Sequence, residues 1–202
     1  TLTISGGVFY HIILGAAAFE QIWLVEERGF DRSVIAQISG IIAVFAGLAG
    51  VLFGGLVSDW WLEKTNQGRP IFLFWLSLIL LPIGVIYRFV EPTTVIFWVG
   101  VVVGYFQLGC FYGPTFSTVQ ELVPEKIRAT IVAFYILCIN LIGLTIGSLG
   151  AGIFIDLTRD TLAEPYTWSL LIFGFIGSLA IPCYYIAGRR YAKDKANLET
   201  AI

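Results

Sequence analysis

Charge is scarce in this sequence: 13% of its 202 residues are charged, and histidine occurs once. Water-soluble domains carry roughly a quarter charged residues, so a hydrophobic content of 57% at this low charge excludes one. There is no basic excess either. A net charge of -2 gives no phosphate-neutralising surface, and no nucleic-acid partner is expected. The three cysteines, Cys110, Cys138 and Cys183, lie in apolar stretches without metal-ligand spacing and read as small buried hydrophobes. The single His11 has no suitable acid or nucleophile in its own helix, so no catalytic residue, cofactor or metal site is expected and the chain is not read as an enzyme. Methionine is absent, and Thr1 stands only a few residues before an apolar run. The expectation is a piece of a longer protein.

What the sequence does have is long apolar runs and glycine, 22 residues of it. A bilayer core of about 30 Å needs roughly 20 apolar residues at 1.5 Å each. Six runs of about that length lie between charges, at about 4–25, 34–57, 71–90, 94–119, 127–155 and 168–188, followed by a tail over 189–202. An all-α membrane protein is predicted. The first run lacks a basic start and contains His11 and Glu20, so it is not a signal peptide.

Placing both ends in the cytoplasm assigns Lys64, Arg69, Lys126, Arg128, Arg189, Arg190, Lys193 and Lys195 to the inside, against Arg28, Arg32, Arg88 and Arg159 outside. That asymmetry follows the positive-inside rule. Anionic lipid head groups are the expected neighbours of the basic tail.

The runs also repeat. Gly55-Leu-Val-Ser-Asp59 closes the second and Gly152-Ile-Phe-Ile-Asp156 the fifth, while the third and sixth carry one late proline each, Pro82 and Pro182. Three helices per copy force the second copy upside down in the bilayer, which gives a 3+3 inverted-repeat bundle. Both aspartates face the negative end of a helix dipole and need a cation. Asp156 has Arg159 nearby; Asp59 faces Lys64 and Arg69 across a flexible Thr-Asn-Gln-Gly segment, and its best partner is expected in the missing part of the protein.

Few ionisable groups fall within the spans. His11 and Glu20 are about 13 Å apart along their helix and on nearly opposite faces, so they do not form a local pair. Neither has a visible cationic partner in the sequence, and a buried carboxylate or a histidine can exchange protons near neutral pH. Gly113-Pro114 removes a backbone donor from the fourth helix and predicts a bend. Gly50-x-x-x-Gly54, Gly100-x-x-x-Gly104 and Gly143-x-x-x-Gly147 predict close helix crossings, and Asn140 reads as an interhelical hydrogen-bonding group.

Gly55-Leu-Val-Ser-Asp59 followed by basic residues resembles the signature loop of the major facilitator superfamily, and Glu121-Leu-Val-Pro124-Glu-Lys-Ile-Arg128 resembles a second pattern of that superfamily. The run from Glu121 through Asn140 to Gly147, with Gly54-Gly55, is similar to the Spinster branch, whose members carry lysolipids and sphingosine-1-phosphate. The resemblance implies the C-terminal half of a twelve-helix transporter, whose N-terminal six-helix half is a missing partner. It also implies that the first and fourth helices line the pathway, through Tyr10, His11, Glu20, Gln107 and Phe111. Asp59, Glu121 and Arg128 would form charge contacts holding a gate, with Gly113 and Pro114 as the bend. The expected function is secondary active transport of a small amphiphilic solute across the cell's inner membrane by alternating access, with a proton as a candidate coupling ion. Alternatives are transport of an organic anion or drug and, from another class, an intramembrane enzyme or a non-transporting receptor.

Overall fold

The computed structural model describes residues 1–201, and among them there is helix and no strand. The helices are α1 Leu2–Glu26, α2 Arg32–Thr65, α3 Pro70–Ile86, α4 Val95–Glu121, α5 Glu125–Thr158 and α6 Pro165–Thr200. All but α3 are long and apolar enough to cross a bilayer unaided. At 17 residues, α3 spans about 25 Å. It stops short of the expected end at 90, and the chain turns over Tyr87–Phe89.

Local chemistry sets the ends. Asp31 caps α2 by accepting from the Ser33 and Val34 amides at 2.9 and 3.0 Å. Those bonds, led by the Ser33 hydroxyl at 2.6 Å, hold the Asp31 carboxyl below its usual pKa. At its other end α2 runs to Thr65 and stops where Asn66 takes a left-handed conformation, φ 54°. α3 and α6 each begin with proline, whose fixed φ suits a first turn. The path of α6 breaks at Ser178–Leu179, ahead of Pro182, which cannot donate to the Ser178 carbonyl and clashes with it. α5 contains a π-helical segment, Cys138–Leu144.

The packing is a two-fold in which each half mirrors the other. α1 packs on α5 as α4 packs on α2; α4 neighbours α3 as α1 neighbours α6; α3 and α6 touch each other. Exchanging the first three helices with the last three leaves this set unchanged. Atomic detail follows the same register. A Cβ on Gly50 would meet the Phe106 carbonyl of α4, and one on Gly147 the Ile12 carbonyl of α1. Likewise Gly109 faces the Gly47 carbonyl and Val51 amide, as Gly15 faces the Leu144 carbonyl and Ser148 amide. The alignment that pairs Gly55 with Gly152 also pairs Gly50 with Gly147, so the sequence repeat and the packing repeat are one. The Gly50 and Gly147 motifs bring backbones together, as small residues do in membranes. The Gly100 motif differs: Gly100 makes room for the Tyr87 ring, and Gly104 has no neighbour within 4 Å.

The outer faces of α2 and α5 are apolar and open, with Phe45 71%, Leu56 72%, Leu141 63% and Leu157 76% exposed. Such faces belong against lipid or further helices.

Candidate functional site

A cavity of about 420 Å³ lies inside the bundle between α1, α3, α4 and α6. Its walls are leucine-rich, with Leu14, Leu80, Leu81, Leu108 and Phe175 facing inward. Gly84, Gly104 and Gly174, one from each of α3, α4 and α6, also line it, and none would bring a Cβ within 4 Å of another group. At these three positions the absence of a side chain leaves the cavity open.

Polar groups gather towards the end opposite the chain termini. Glu20 from α1 accepts a hydrogen bond from the Tyr87 hydroxyl at 2.9 Å, and its second oxygen stands 3.9 Å from Arg88 Nη2. The sequence leaves Glu20 without a cation; the structure supplies Arg88. Nearer the middle, Gln107 on α4 donates to Ser77 Oγ on α3 at 3.4 Å, the interhelical contact expected of a mid-membrane amide.

The five pathway residues divide. Tyr10, Glu20 and Gln107 line the cavity. Phe111 backs it, fully buried and stacked parallel on Tyr10 at 4.4 Å. His11 does not line it. Its Nδ1 lies 2.9 Å from the Gly7 carbonyl, an acceptor only, so Nδ1 donates. The ring packs edge-on to Phe111 and Tyr112 under Gly143, 2% exposed. Tyr105 lines the cavity, whereas Tyr112 and Phe116 pack elsewhere, with Phe116 edge-on to Tyr135.

The floor of this polar cluster is a fixed network. Glu27 caps the start of α6, accepting from the Tyr166 and Thr167 amides at 2.7 and 2.9 Å, where the helix dipole favours an anion. Thr167 Oγ1 donates to Glu27 at 2.7 Å and accepts from Trp23 Nε1 at 2.7 Å and Arg28 at 3.1 Å. Arg28 also pairs with Glu164 at 3.0 Å and donates to the Arg88 carbonyl. Trp23 lies beneath two guanidinium groups, those of Arg28 and Arg88 at 5.1 and 4.9 Å.

At the end carrying the chain termini, Arg69 joins two carboxylates. Its Nε contacts Asp59 Oδ1 at 2.6 Å and its Nη1 contacts Glu121 Oε2 at 2.7 Å, and the Tyr191 hydroxyl of α6 donates to the same Glu121 oxygen. Burial opposes the Arg69 charge, but the bonds to Asp59 and Glu121 outweigh it and hold its pKa above the ordinary value. Arg69 thus ties α2 to α4 at the entry to α3, and Glu121 extends the tie to α6. This corrects two expectations. The partner of Asp59 lies within this chain, and Arg128 is not part of the cluster: it reaches Glu125 alone, at 3.9 Å and one turn away. Among the described residues Asp156 has no cation within ion-pair distance, Arg159 included, so the two repeat aspartates differ.

One further expectation changes. Asn140 donates to the Ile136 carbonyl of its own helix and is exposed, so it joins no other helix. α4 is helical on both sides of Gly113-Pro114. Proline leaves the Cys110 carbonyl without its helical donor, and Gly54 of α2 packs against that carbonyl.

Residues missed by sequence reasoning are Tyr87, Arg88 and Ser77, while Arg69 was visible as one of two cations near Asp59. Arg88 was visible only as an outside charge. Its place beside Tyr87 inside the expected 71–90 span was the available signal.

Six helices with an inverted internal two-fold and a cavity between the repeats define half of a multi-pass membrane protein of the transporter fold. The model of the Major Facilitator Superfamily matches residues 2–201, and the chain belongs to that superfamily. It is 26% identical over 185 residues to an MFS-type efflux pump of Mycolicibacterium smegmatis, a match covering 87% of this chain and 41% of that protein. In structure it is similar to a bacterial homologue of the human lysosomal transporter Spinster. The TM-score is 0.76 to the inward-facing occupied form at 19% identity, and 0.77 to the unoccupied form at 18%. These matches cover 96% of this chain and 49% and 48% of the solved chains. The chain therefore spans about half the length of the relatives it matches.

Proposed function

We propose that this chain is the C-terminal half of a secondary active transporter that moves a small amphiphilic, lysolipid- or sphingolipid-like solute by alternating access. The cavity carries the reading: apolar walls from four helices end in a compact polar cluster, the complement of a molecule with one apolar and one polar end. The second half, in this proposal, packs on the open faces of α2 and α5. A second reading, transport of a drug or small organic anion, draws on the efflux-pump relative and shares the same cavity.

Proton coupling, in this proposal, belongs to Glu20. The groups facing it are Tyr87 and Arg88 from the end of α3 and Tyr105 from α4. His11, bonded within its helix, is the weaker carrier. The test is uptake by the complete protein in liposomes under an imposed pH gradient. Amphiphiles are expected to compete and sugars and amino acids are not, with Glu20→Gln losing the gradient response and His11→Ala keeping it. Competition by sugars alone would overturn the substrate class, and a wild type indifferent to the gradient would overturn coupling.

We also place both ends of the chain in the cytoplasm of a cell with this protein in its inner membrane, with lipids around it. Cysteine at position 126 in the complete protein is then expected to resist an impermeant reagent added to intact cells, while cysteine at position 159 reacts. The opposite pattern would invert the topology.

A further inference from the structure

Two arginines flank Trp23, and they are in different states. Arg28 donates to Glu164, Thr167 and the carbonyls of Glu27 and Arg88. Arg88 has a guanidinium with five N–H donors, and among the described residues none of them makes a hydrogen bond. Its Nη1 is buried without a partner. Its one ion pair, with Glu20, stands at 3.9 Å, well beyond the 2.7–2.9 Å of a closed charge-assisted bond. The group is nonetheless held firmly, 11% exposed and lying over the rings of Trp23 at 4.9 Å and Tyr87 at 4.6 Å. Trp23 in turn is pinned by Thr167. Burying a guanidinium without hydrogen bonds is costly, and this one lines the cavity.

We infer that Arg88 is the anion-recognising residue of the cavity and that Glu20 is its built-in competitor. The inference rests on the cavity being the solute site. The ligand chemistry is an apolar body ending in a carboxylate or phosphate. A planar guanidinium fork binds either in two-pronged fashion, which a point charge does not. The ligand's anion takes the unpaired donors of Arg88, and Glu20 withdraws onto the Tyr87 hydroxyl it already contacts. The apolar body then lies along Leu80, Leu81, Leu108 and Phe175 towards Tyr10, about 15 Å away along α1. With no ligand, Glu20 partly neutralises Arg88 without closing on it, so the site stays ready for an anion from elsewhere.

The experiment uses the complete transporter in neutral-lipid nanodiscs and four probes sharing one dodecyl chain: dodecanoate, dodecyl phosphate, dodecanol and dodecyltrimethylammonium. Wild type should bind both anions at least about tenfold more tightly than the alcohol, the range of a charge-assisted bond. The ammonium probe should bind least. Arg88→Gln should bring the anions level with the alcohol while the alcohol's own affinity stays unchanged, which also reports an intact cavity. Glu20→Gln, with Arg88 present, should tighten both anions several-fold and leave the alcohol alone. A preference of phosphate over carboxylate, lost with Arg88, would identify the head group. Retained anion preference in Arg88→Gln, or weaker anion binding in Glu20→Gln, would overturn the assignment. Equal binding of all four probes by wild type would overturn it while leaving the cavity as the solute site; binding of none would remove both. Should Arg88→Gln fail to fold, the Glu20→Gln arm decides alone.

Discussion

Arg69→Ala is expected to unfasten the end of the bundle that carries the chain termini, moving the complete protein away from the conformation with that end closed. Arg69 is 12% exposed and touches Asp59 and Glu121 at once, so its loss leaves two carboxylates facing each other without a cation. Removing one member of a fully buried charge pair costs about 3–5 kcal/mol. Here Asp59 is 57% and Glu121 33% exposed, and solvent reduces the effect to on the order of 2 kcal/mol. A shift of that size changes the ratio of two conformations by about thirtyfold. Asp59→Ala should do less, since Arg69 keeps Glu121, and Arg128→Ala should do nothing measurable. Cysteine accessibility at this end, read at equal expression, checks the order. Equal accessibility in Arg69→Ala and wild type would contradict it.

Gly104→Leu should abolish amphiphile transport by the complete protein while leaving its melting temperature within a few degrees of wild type. Gly104 faces the cavity with nothing within 4 Å, so a leucine fills space and displaces no backbone. Gly147→Leu is the contrast. Its first side-chain atom lands on the Ile12 carbonyl and the Gly15 backbone, and α1 and α5 must separate. Overpacking of this kind costs about 1–3 kcal/mol where neighbours can yield, and these neighbours are backbone. Thermal unfolding and transport measured side by side separate the two. Normal transport by Gly104→Leu would place the solute path outside this cavity, and an unchanged melting temperature for Gly147→Leu would refute the close crossing.

The two glycines look alike in the sequence, each the second member of a Gly-x-x-x-Gly pair. Spacing puts both on a helix face; it cannot say whether another helix or an empty space faces them. The same limit applies to charge. His11 and Glu20 were both conspicuous as ionisable groups within a span. Whether each is satisfied depends on neighbours far along the chain: Gly7 is local to His11, while Tyr87 and Arg88 reach Glu20 from the end of α3. The charged groups at the end carrying the chain termini show the point again, because Arg69 and not Arg128 joins Asp59 to Glu121.

What the sequence determined by itself is the set of properties that depend on chain-local free energy. A run of about 20 continuously apolar residues becomes a helix in a bilayer, since a helix satisfies its backbone within the segment and a barrel strand would be about half as long with alternating polarity. Six such runs with Gly55-to-Asp59 echoed in Gly152-to-Asp156 therefore carried the helical class and the inverted repeat. Only the tertiary structure decided which polar groups meet. Arg88 lies beyond the end of a short helix, and its position over Trp23 follows from where α3 stops, how Gly100 admits Tyr87, and how Thr167 holds the indole. Those are contacts between helices, fixed by packing once the helices exist, and no pattern within any one of them encodes the cavity they enclose.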